Sequence, residues 1–119
     1  MPLESQPPDR VSPDAAVFRC EVSGKRDTAK VRALGELDLG TVAILDAKLA
    51  ELREAGFRLM IVDLSGLSFI DSTGLRCILE WDAEARRGNI SIALVQGPRA
   101  VQRVFELTGT AARLRFVDA

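Results

Sequence analysis

Residues 58–64, Arg-Leu-Met-Ile-Val-Asp-Leu, form an almost continuously apolar segment in the middle of the chain. An apolar run of this length is typical of a central parallel strand whose two faces are both covered. Parallel neighbouring strands need a crossover connection, which is usually a helix. The segment therefore predicts a layered α/β domain, in which the rest of the chain supplies helices and further strands around one sheet.

Apolar spacing along the remaining chain predicts strands and helices in alternation. We expect strands over residues 17–22, 30–34, 58–64, 90–95 and 114–117. We expect one helix after "GELDLGT", ending near Gly56, and two more over residues 72–87 and 99–107. The segment "SGKRDT" suits a hairpin loop, which makes the first two strands antiparallel. The predicted order is β-β-α-β-α-β-α-β, a single α/β domain with helices packed on a mixed sheet.

The chain of 119 residues is long enough for one compact domain. Residues 1–14 hold four of the five prolines and few large apolar side chains. Such a segment cannot bury enough apolar surface to offset the entropy of ordering it. We therefore expect a disordered N-terminal tail over residues 1–14 and a folded domain over residues 15–119.

Charge and hydropathy exclude several classes of partner. The formal net charge is −1, so no overall basic field favours nucleic acid or an anionic membrane. No apolar run approaches the roughly 18–20 residues of a membrane span. The N-terminus lacks the basic start and apolar centre of a signal peptide. We expect a cytoplasmic protein that binds neither nucleic acid nor membrane.

The absence of histidine restricts the available chemistry most. It removes Ser-His-Asp catalysis, Cys-His catalysis and histidine metal sites together. Cys20 and Cys77 are far apart in sequence and form no metal-ligand pair, so two reduced thiols are expected. Asp38 and Asp71 are too few carboxylates to define a cation site. We expect no cofactor, no metal and no enzyme activity.

The stretch "FIDSTGL", residues 69–75, lies between the apolar strand and the second helix. Ser72 is well suited to cap that helix, so a structural role alone explains a hydroxyl there. Gly74 is harder to explain, because glycine is unfavourable in a helix; it permits close approach by another backbone or a ligand. A catalytic Ser72 is disfavoured, since the G-x-S-x-G motif and a histidine base are both absent. A phosphorylated serine, exposed at a helix start, is the third interpretation, and the residues leave it open beside the structural cap.

The predicted topology gathers polar residues at one edge of the sheet. Asp38 follows the second strand, and Asp71 and Ser72 follow the third, so the carboxyl ends of the strands bring them together. Helical spacing places Thr73, Arg76 and Glu80 on one side of the second helix, where they form a polar stripe. Trp81 lies at the border of that stripe, and packing in the fold is the alternative to partner contact. The expected partner surface comprises Asp38, Asp71, Ser72, Thr73, Gly74, Arg76, Glu80 and Trp81.

Three segments carry a resemblance to a known family. "VDLSGLSFIDSTGLRCIL" resembles the signature of the STAS domain, in the branch of bacterial anti-sigma factor antagonists, also called anti-anti-sigma factors. "GELDLGT" and "GPRAVQRVFELTGTAARLRF" resemble two further landmarks of that family. The similarity extends from about Val17 to Val117 and implies a STAS-like fold.

The resemblance also implies partner switching in transcription regulation. In this family the unmodified antagonist binds an anti-sigma factor with a histidine-kinase-like ATPase fold, and a sigma factor is released. The same anti-sigma factor phosphorylates the serine of the motif, which here is Ser72, and a serine phosphatase reverses the modification. Asp38 matches the acidic position of the "GELD" loop. A phosphoprotein that is a monomer or weak homodimer is therefore expected.

Two departures from the family pattern affect these expectations. Arg76 stands where many members have glycine, which places a bulky cation in the first turns of the second helix. The chain ends at "RFVDA", where many relatives continue into a final helix, and a dimer contact would be one way to cover that surface. STAS domains also occur as stressosome parts and transport-complex subunits. A non-phosphorylated interaction or small-molecule-binding module is therefore the alternative function.

Overall fold

The structure, a computed structural model, describes residues 18–118. The predicted disordered tail over residues 1–14 lies outside this range. Within it the order is the predicted β-β-α-β-α-β-α-β, with one added 3-10 turn at Ala111–Arg113. The elements are β1 (Arg19–Lys25), β2 (Thr28–Leu37), α1 (Val42–Glu54), β3 (Leu59–Ile70), α2 (Ser72–Arg87), β4 (Ser91–Val95), α3 (Arg99–Leu107) and β5 (Phe116–Val117).

The five strands form one mixed sheet in the order β1-β2-β3-β4-β5. β1 pairs antiparallel with β2, and every later pair is parallel. The hairpin turn needs only Arg26 and Asp27, because β1 and β2 extend into the predicted loop. Arg26 has a φ of 59°, in the left-handed region that tight hairpin turns require. The α/β fold class and the hairpin are confirmed.

The third strand is longer than its apolar segment suggested. β3 continues from Leu59 through the polar stretch to Ile70 and pairs with β2 over its whole length. Two register shifts, opposite Arg32/Leu34 and Gly35/Glu36 of β2, place the extra residues in β3 and accommodate this extension. The result brings the last residue of β3 next to the last residue of β2, since Ile70 pairs with Leu37. The loops that follow both strands therefore begin side by side.

One face of the sheet carries the core. Alternate residues of β2 and β3 are fully or almost fully buried there, and the buried leucines of α1 and the apolar residues of α2 pack in the same cluster. Phe105 of α3 meets Phe116 of β5 edge to face, with 5.7 Å between ring centroids. The strand residues of this face are Ala29, Val31, Ala33, Met60, Val62 and Leu64.

The opposite face of β3 differs from the prediction of a strand covered on both sides. Ile61 is half-buried, and the buried Asp63 pairs with Lys30 at 3.7 Å and Arg32 at 4.0 Å. Burial pushes the pKa of Asp63 upward, but hydrogen bonds from Ser65 and the two cations outweigh it and lower that pKa below its usual value. The buried charge is therefore compensated, and this face is charged where the sequence predicted an apolar cover.

A glycine ends helix α1. Gly56 follows the C-cap Ala55 with a φ of 101°, so glycine supplies the left-handed conformation that a helix end often uses.

None of the helices within residues 18–118 combines the length and the hydropathy that crossing a membrane requires.

Candidate functional site

The N-cap of α2 is Asp71, and the prediction that Ser72 caps this helix is wrong. The Asp71 backbone is extended, with φ −109° and ψ −174°, and its Oδ1 accepts a hydrogen bond from the Gly74 N–H at 2.9 Å. Aspartate caps a helix as well as serine does. The sequence "Asp-Ser" offered two capping residues in a row, and the extension of β3 to Ile70 moves the cap one residue earlier.

Ser72 is the first residue of α2, and its side chain is exposed. Within residues 18–118 its hydroxyl makes no hydrogen bond, because the cap is already provided by Asp71. Thr73 follows and is half-buried. The Ser72 hydroxyl is therefore accessible at a helix N-terminus, and no hydrogen bond within residues 18–118 holds it in place.

Gly74 is buried and lies against the end of β2. A Cβ atom on Gly74 would stand 2.8 Å from the Leu37 carbonyl oxygen and 3.0 Å from Cγ1 of Ile70. Real Cβ atoms essentially never approach other atoms this closely. Gly74 thus allows the start of α2 to sit on the ends of β2 and β3, which confirms close backbone approach as its role.

Replacing Gly74 by Ala is expected to destabilise the domain by about 1–3 kcal/mol, because the new methyl group meets a backbone carbonyl that cannot rotate away. The gain in helix propensity offsets only part of this. Thermal unfolding of the variant measures the effect. The matched control is Gly40→Ala in the neighbouring loop, where the added Cβ would meet only Asp38 Oδ1 at 3.6 Å. Equal losses in both variants would contradict the packing argument.

The loop between β2 and α1 lies next to this helix start. Thr41 is the N-cap of α1, but its side chain makes no capping hydrogen bond to the helix. Asp38 Oδ1 accepts a hydrogen bond from the Gly40 N–H at 3.0 Å, within the loop. The Thr41 hydroxyl donates to the Glu36 carbonyl at 2.7 Å and accepts from the Asp38 N–H at 3.0 Å. These local bonds fix the loop before the helix begins.

Asp71 joins the two loops. Its second oxygen, Oδ2, accepts the Leu39 N–H at 3.2 Å, while Oδ1 caps α2. The Asp71 N–H in turn donates to the Leu37 carbonyl at 3.1 Å. The structure therefore brings Asp38, Asp71 and Ser72 to one sheet edge, as the topology predicted.

The polar stripe of α2 is exposed where the sequence predicted it. Arg76 and Glu80 are both exposed, and no ion pair joins these two described residues. Together with Ser72 they form a continuous exposed edge along the first three turns of the helix.

Trp81 is part of the fold interior. Its side chain is buried, and its Nε1–H donates to Asp46 Oδ1 of α1 at 2.9 Å. The Arg53 guanidinium lies over the indole, 5.0 Å from the ring centroid. Cys77 is also buried, since α1 covers the border of α2 that holds both residues. Packing is thus the role that the structure gives Trp81.

The two cysteines are free thiols. Burial, followed by the charges of Asp46 and Glu80, raises the pKa of Cys77 to about 12. Burial also raises the pKa of the half-buried Cys20, against the opposing charge of Lys48. Because the thiolate is the reactive form, neither cysteine is activated as a nucleophile. Within residues 18–118 no three Cys, Asp or Glu side chains are grouped closely enough to hold a metal ion.

Leu39 is the feature of this edge that sequence reasoning missed. Its side chain is 77% exposed, although leucine is among the most buried residue types. The signal was present in "GELDLGT", where a leucine stands inside a turn sequence between aspartate and glycine. No periodicity assigned that leucine to a buried face.

Comparison with known proteins agrees with this architecture. A sequence profile for the family described as "Mlab, STAS domain" matches residues 20–117. The anti-sigma-B factor antagonist of Staphylococcus aureus strain NCTC 8325 / PS 47 is 31% identical over 80 residues, which are 67% of this chain and 74% of that protein.

Two solved structures of SpoIIAA resemble the fold. Its unphosphorylated form, described as an anti-sigma factor antagonist, aligns with a TM-score of 0.70 and 28% identity over 87% of this chain and 88% of its own. Its phosphorylated form, described as a Bacillus cell fate determinant, aligns with a TM-score of 0.65 and 26% identity over 87% of this chain and 91% of its own.

The sheet order, the helix start at Ser72 and the matched profile define a STAS domain. Within that class, the chain belongs to the family of anti-sigma factor antagonists.

Proposed function

We propose that this protein binds an anti-sigma factor of histidine-kinase-like ATPase fold, thereby releases a sigma factor, and is switched off by phosphorylation of Ser72. The observation that carries the proposal is the exposed Ser72 hydroxyl at the first position of α2, left unbonded within residues 18–118. The similarity to SpoIIAA, whose phosphorylated form has been solved, supports a modified state for this fold. The role is regulatory and not catalytic.

The chemistry of the helix start fits a phosphoacceptor. A kinase needs a hydroxyl that can enter its active site, and Ser72 precedes a compact turn in which Gly74 adds no side chain. Because Asp71 caps the helix, the Ser72 hydroxyl oxygen can accept the γ-phosphoryl group of ATP, with release of ADP and the hydroxyl proton, without loss of the cap. A serine phosphatase would restore the binding form. The protein would act in the cytoplasm as a monomer or weak homodimer.

Phosphorylation by a cognate kinase is the direct test. The purified protein is incubated with ATP and, one at a time, with each anti-sigma kinase of the source organism, and intact mass is measured. Addition of one phosphate to the wild type and none to Ser72→Ala is expected. Phosphate on the Ser72→Ala protein would point to Thr73 instead. If no kinase binds or modifies the wild type, the proposal fails.

A constitutive STAS interaction module is the second candidate. The specific observation in its favour is the description of the family profile that matches this chain. That description reads "Mlab, STAS domain" and does not mention anti-sigma factor antagonists. Under this alternative the same edge binds a partner, and Ser72 is never modified. A wild-type protein that binds its partner but gains no phosphate from any kinase would favour it.

The polar stripe of α2 should contribute to the partner interface. Reversing the charge of Arg76 or Glu80 is expected to weaken partner binding while changing the free energy of unfolding by less than about 0.5 kcal/mol, because both side chains are exposed. Calorimetric titration and thermal melting measure the two quantities. The matched control is charge reversal of Arg103, an exposed arginine on α3. Normal binding by both α2 variants would exclude this surface.

A further inference from the structure

Leu39 is held in solvent by a preorganised loop. A single exposed leucine is common on protein surfaces and needs no explanation by itself. Leu39 differs because the loop around it is fixed by hydrogen bonds on both sides. Asp38 Oδ1 accepts a hydrogen bond from the Gly40 N–H, and the Thr41 hydroxyl donates one to the Glu36 carbonyl oxygen at 2.7 Å. The loop thus presents an apolar side chain, 77% exposed, in a defined position.

The same loop is fastened to the phosphoacceptor segment. The Leu39 N–H donates to Asp71 Oδ2 at 3.2 Å, and Asp71 directly precedes Ser72. The other oxygen of that carboxylate caps α2 at 2.9 Å. One side chain therefore sets the position of Leu39 relative to Ser72. A partner that receives Ser72 meets Leu39 in a fixed geometry.

We propose that Leu39 is an apolar anchor for the anti-sigma factor, and that Asp71 is the positioning residue that holds it beside Ser72. The inference rests on the proposed function, because the occupant is the kinase that receives Ser72. The proposal requires an apolar depression on the kinase surface, beside the site that receives Ser72, into which Leu39 fits. Binding then buries a leucine whose backbone position the loop has already fixed. No loop ordering is then lost on binding, and such preorganisation lets a small contact contribute more to affinity.

The first test uses two leucines of nearly equal exposure. Leu39 is 77% exposed and Leu107, at the end of α3, is 74% exposed. Calorimetric titration compares wild type, Leu39→Ala and Leu107→Ala against the purified anti-sigma kinase that binds the wild type. Leu39→Ala is expected to weaken binding about 10- to 50-fold, from the lost burial of its side chain, and Leu107→Ala less than about two-fold. Both variants keep the melting temperature of the wild type.

The second test separates the two hydrogen bonds of Asp71. Asn in place of Asp71 still offers one oxygen to cap α2, but its NH₂ group cannot accept from the Leu39 N–H. Asp71→Asn is therefore expected to stay folded and to weaken binding by about three- to ten-fold. A double-mutant cycle with Leu39→Ala shows whether Asp71 acts through Leu39. In that case Asp71→Asn has little further effect once Leu39 is truncated.

The outcomes are distinguishable. If Leu39→Ala binds like Leu107→Ala, the anchor is wrong while the proposed function stands. If the effects of Asp71→Asn and Leu39→Ala are additive, Asp71 does not position Leu39. If the wild type binds none of the anti-sigma kinases, the proposed function fails and the anchor with it.

Discussion

Phosphorylation of Ser72 is expected to remove partner binding while the domain stays folded. The phosphate carries about −1.5 to −2 charge at neutral pH, in place of a neutral hydroxyl. In the complex this dianion would lose hydration and meet groups arranged for a hydroxyl. A buried charge without a partner typically costs about 2–5 kcal/mol in an interface, which is roughly 30- to several-thousand-fold in affinity. We therefore expect the switch to act on the complex and not on the fold.

The isolated domain can accommodate the phosphate. The free N–H groups at a helix start attract anions, and within residues 18–118 those of Ser72 and Thr73 have no acceptor. Arg76, one turn along the helix, adds an exposed cation on the same side. The Asp71 carboxylate opposes them by like-charge repulsion. We expect these contributions to leave the free energy of unfolding nearly unchanged.

Two substitutions at Ser72 separate charge from structure. Ser72→Ala should bind the partner and escape regulation, and it should cost less stability than loss of a cap, because Asp71 is the cap. Ser72→Asp should fold and bind weakly, although one carboxylate imitates a phosphate only in part.

Calorimetric titration of unmodified and phosphorylated protein, beside their melting curves, decides the mechanism. Ser91→Asp is the matched control, since it adds one charge at an exposed serine at the start of β4, away from the carboxyl ends of the strands. Equal affinities of the unmodified and the phosphorylated protein would contradict the switch. An unfolded phosphorylated protein would show that the loss of binding is merely loss of structure.

The sequence predicted the fold because local and long-range signals agree in it. The apolar alternation of β2, the leucine spacing of α1 and the conformations of Gly56 and of the hairpin turn all favour the same β-β-α-β-α-β-α-β order. The resemblance to the STAS domain indicated the same arrangement. The bounds of α2 and α3 were predicted correctly, since both helices lie between clear turn sequences.

The details that escaped prediction depend on packing between distant segments. Asp71, and not Ser72, caps α2 because β3 runs on to Ile70, and that extension depends on pairing with β2 across two register shifts. Trp81 is buried because α1 lies against α2, which helical spacing within α2 cannot reveal. The contact between Leu39 and Asp71 joins residues that are 32 positions apart. The assignment of the partner surface itself remains a prediction.

Removal of a buried leucine from α1 should have the largest effect on stability. Leu49 is 1% exposed and packs with Leu45 and Leu52 against the sheet. Leu49→Ala is expected to lower the free energy of unfolding by about 2–5 kcal/mol, from lost burial and the cavity left behind. Because small domains have a total stability of only about 5–15 kcal/mol, the melting temperature should fall by ten degrees or more.

The control for this substitution is Ile44→Ala on the same helix, where the side chain is 47% exposed and its loss should cost less than about 1 kcal/mol. Equal melting temperatures for the two variants would show that the buried face of α1 is misassigned. Partner binding gives an independent check. Leu49 lies on the sheet side of α1, away from the exposed edge around Ser72, so the folded fraction of Leu49→Ala should bind with wild-type affinity. A lower affinity in that fraction would mean that the packing of α1 controls the geometry of the Leu39 loop, and that stability and recognition are coupled through this helix.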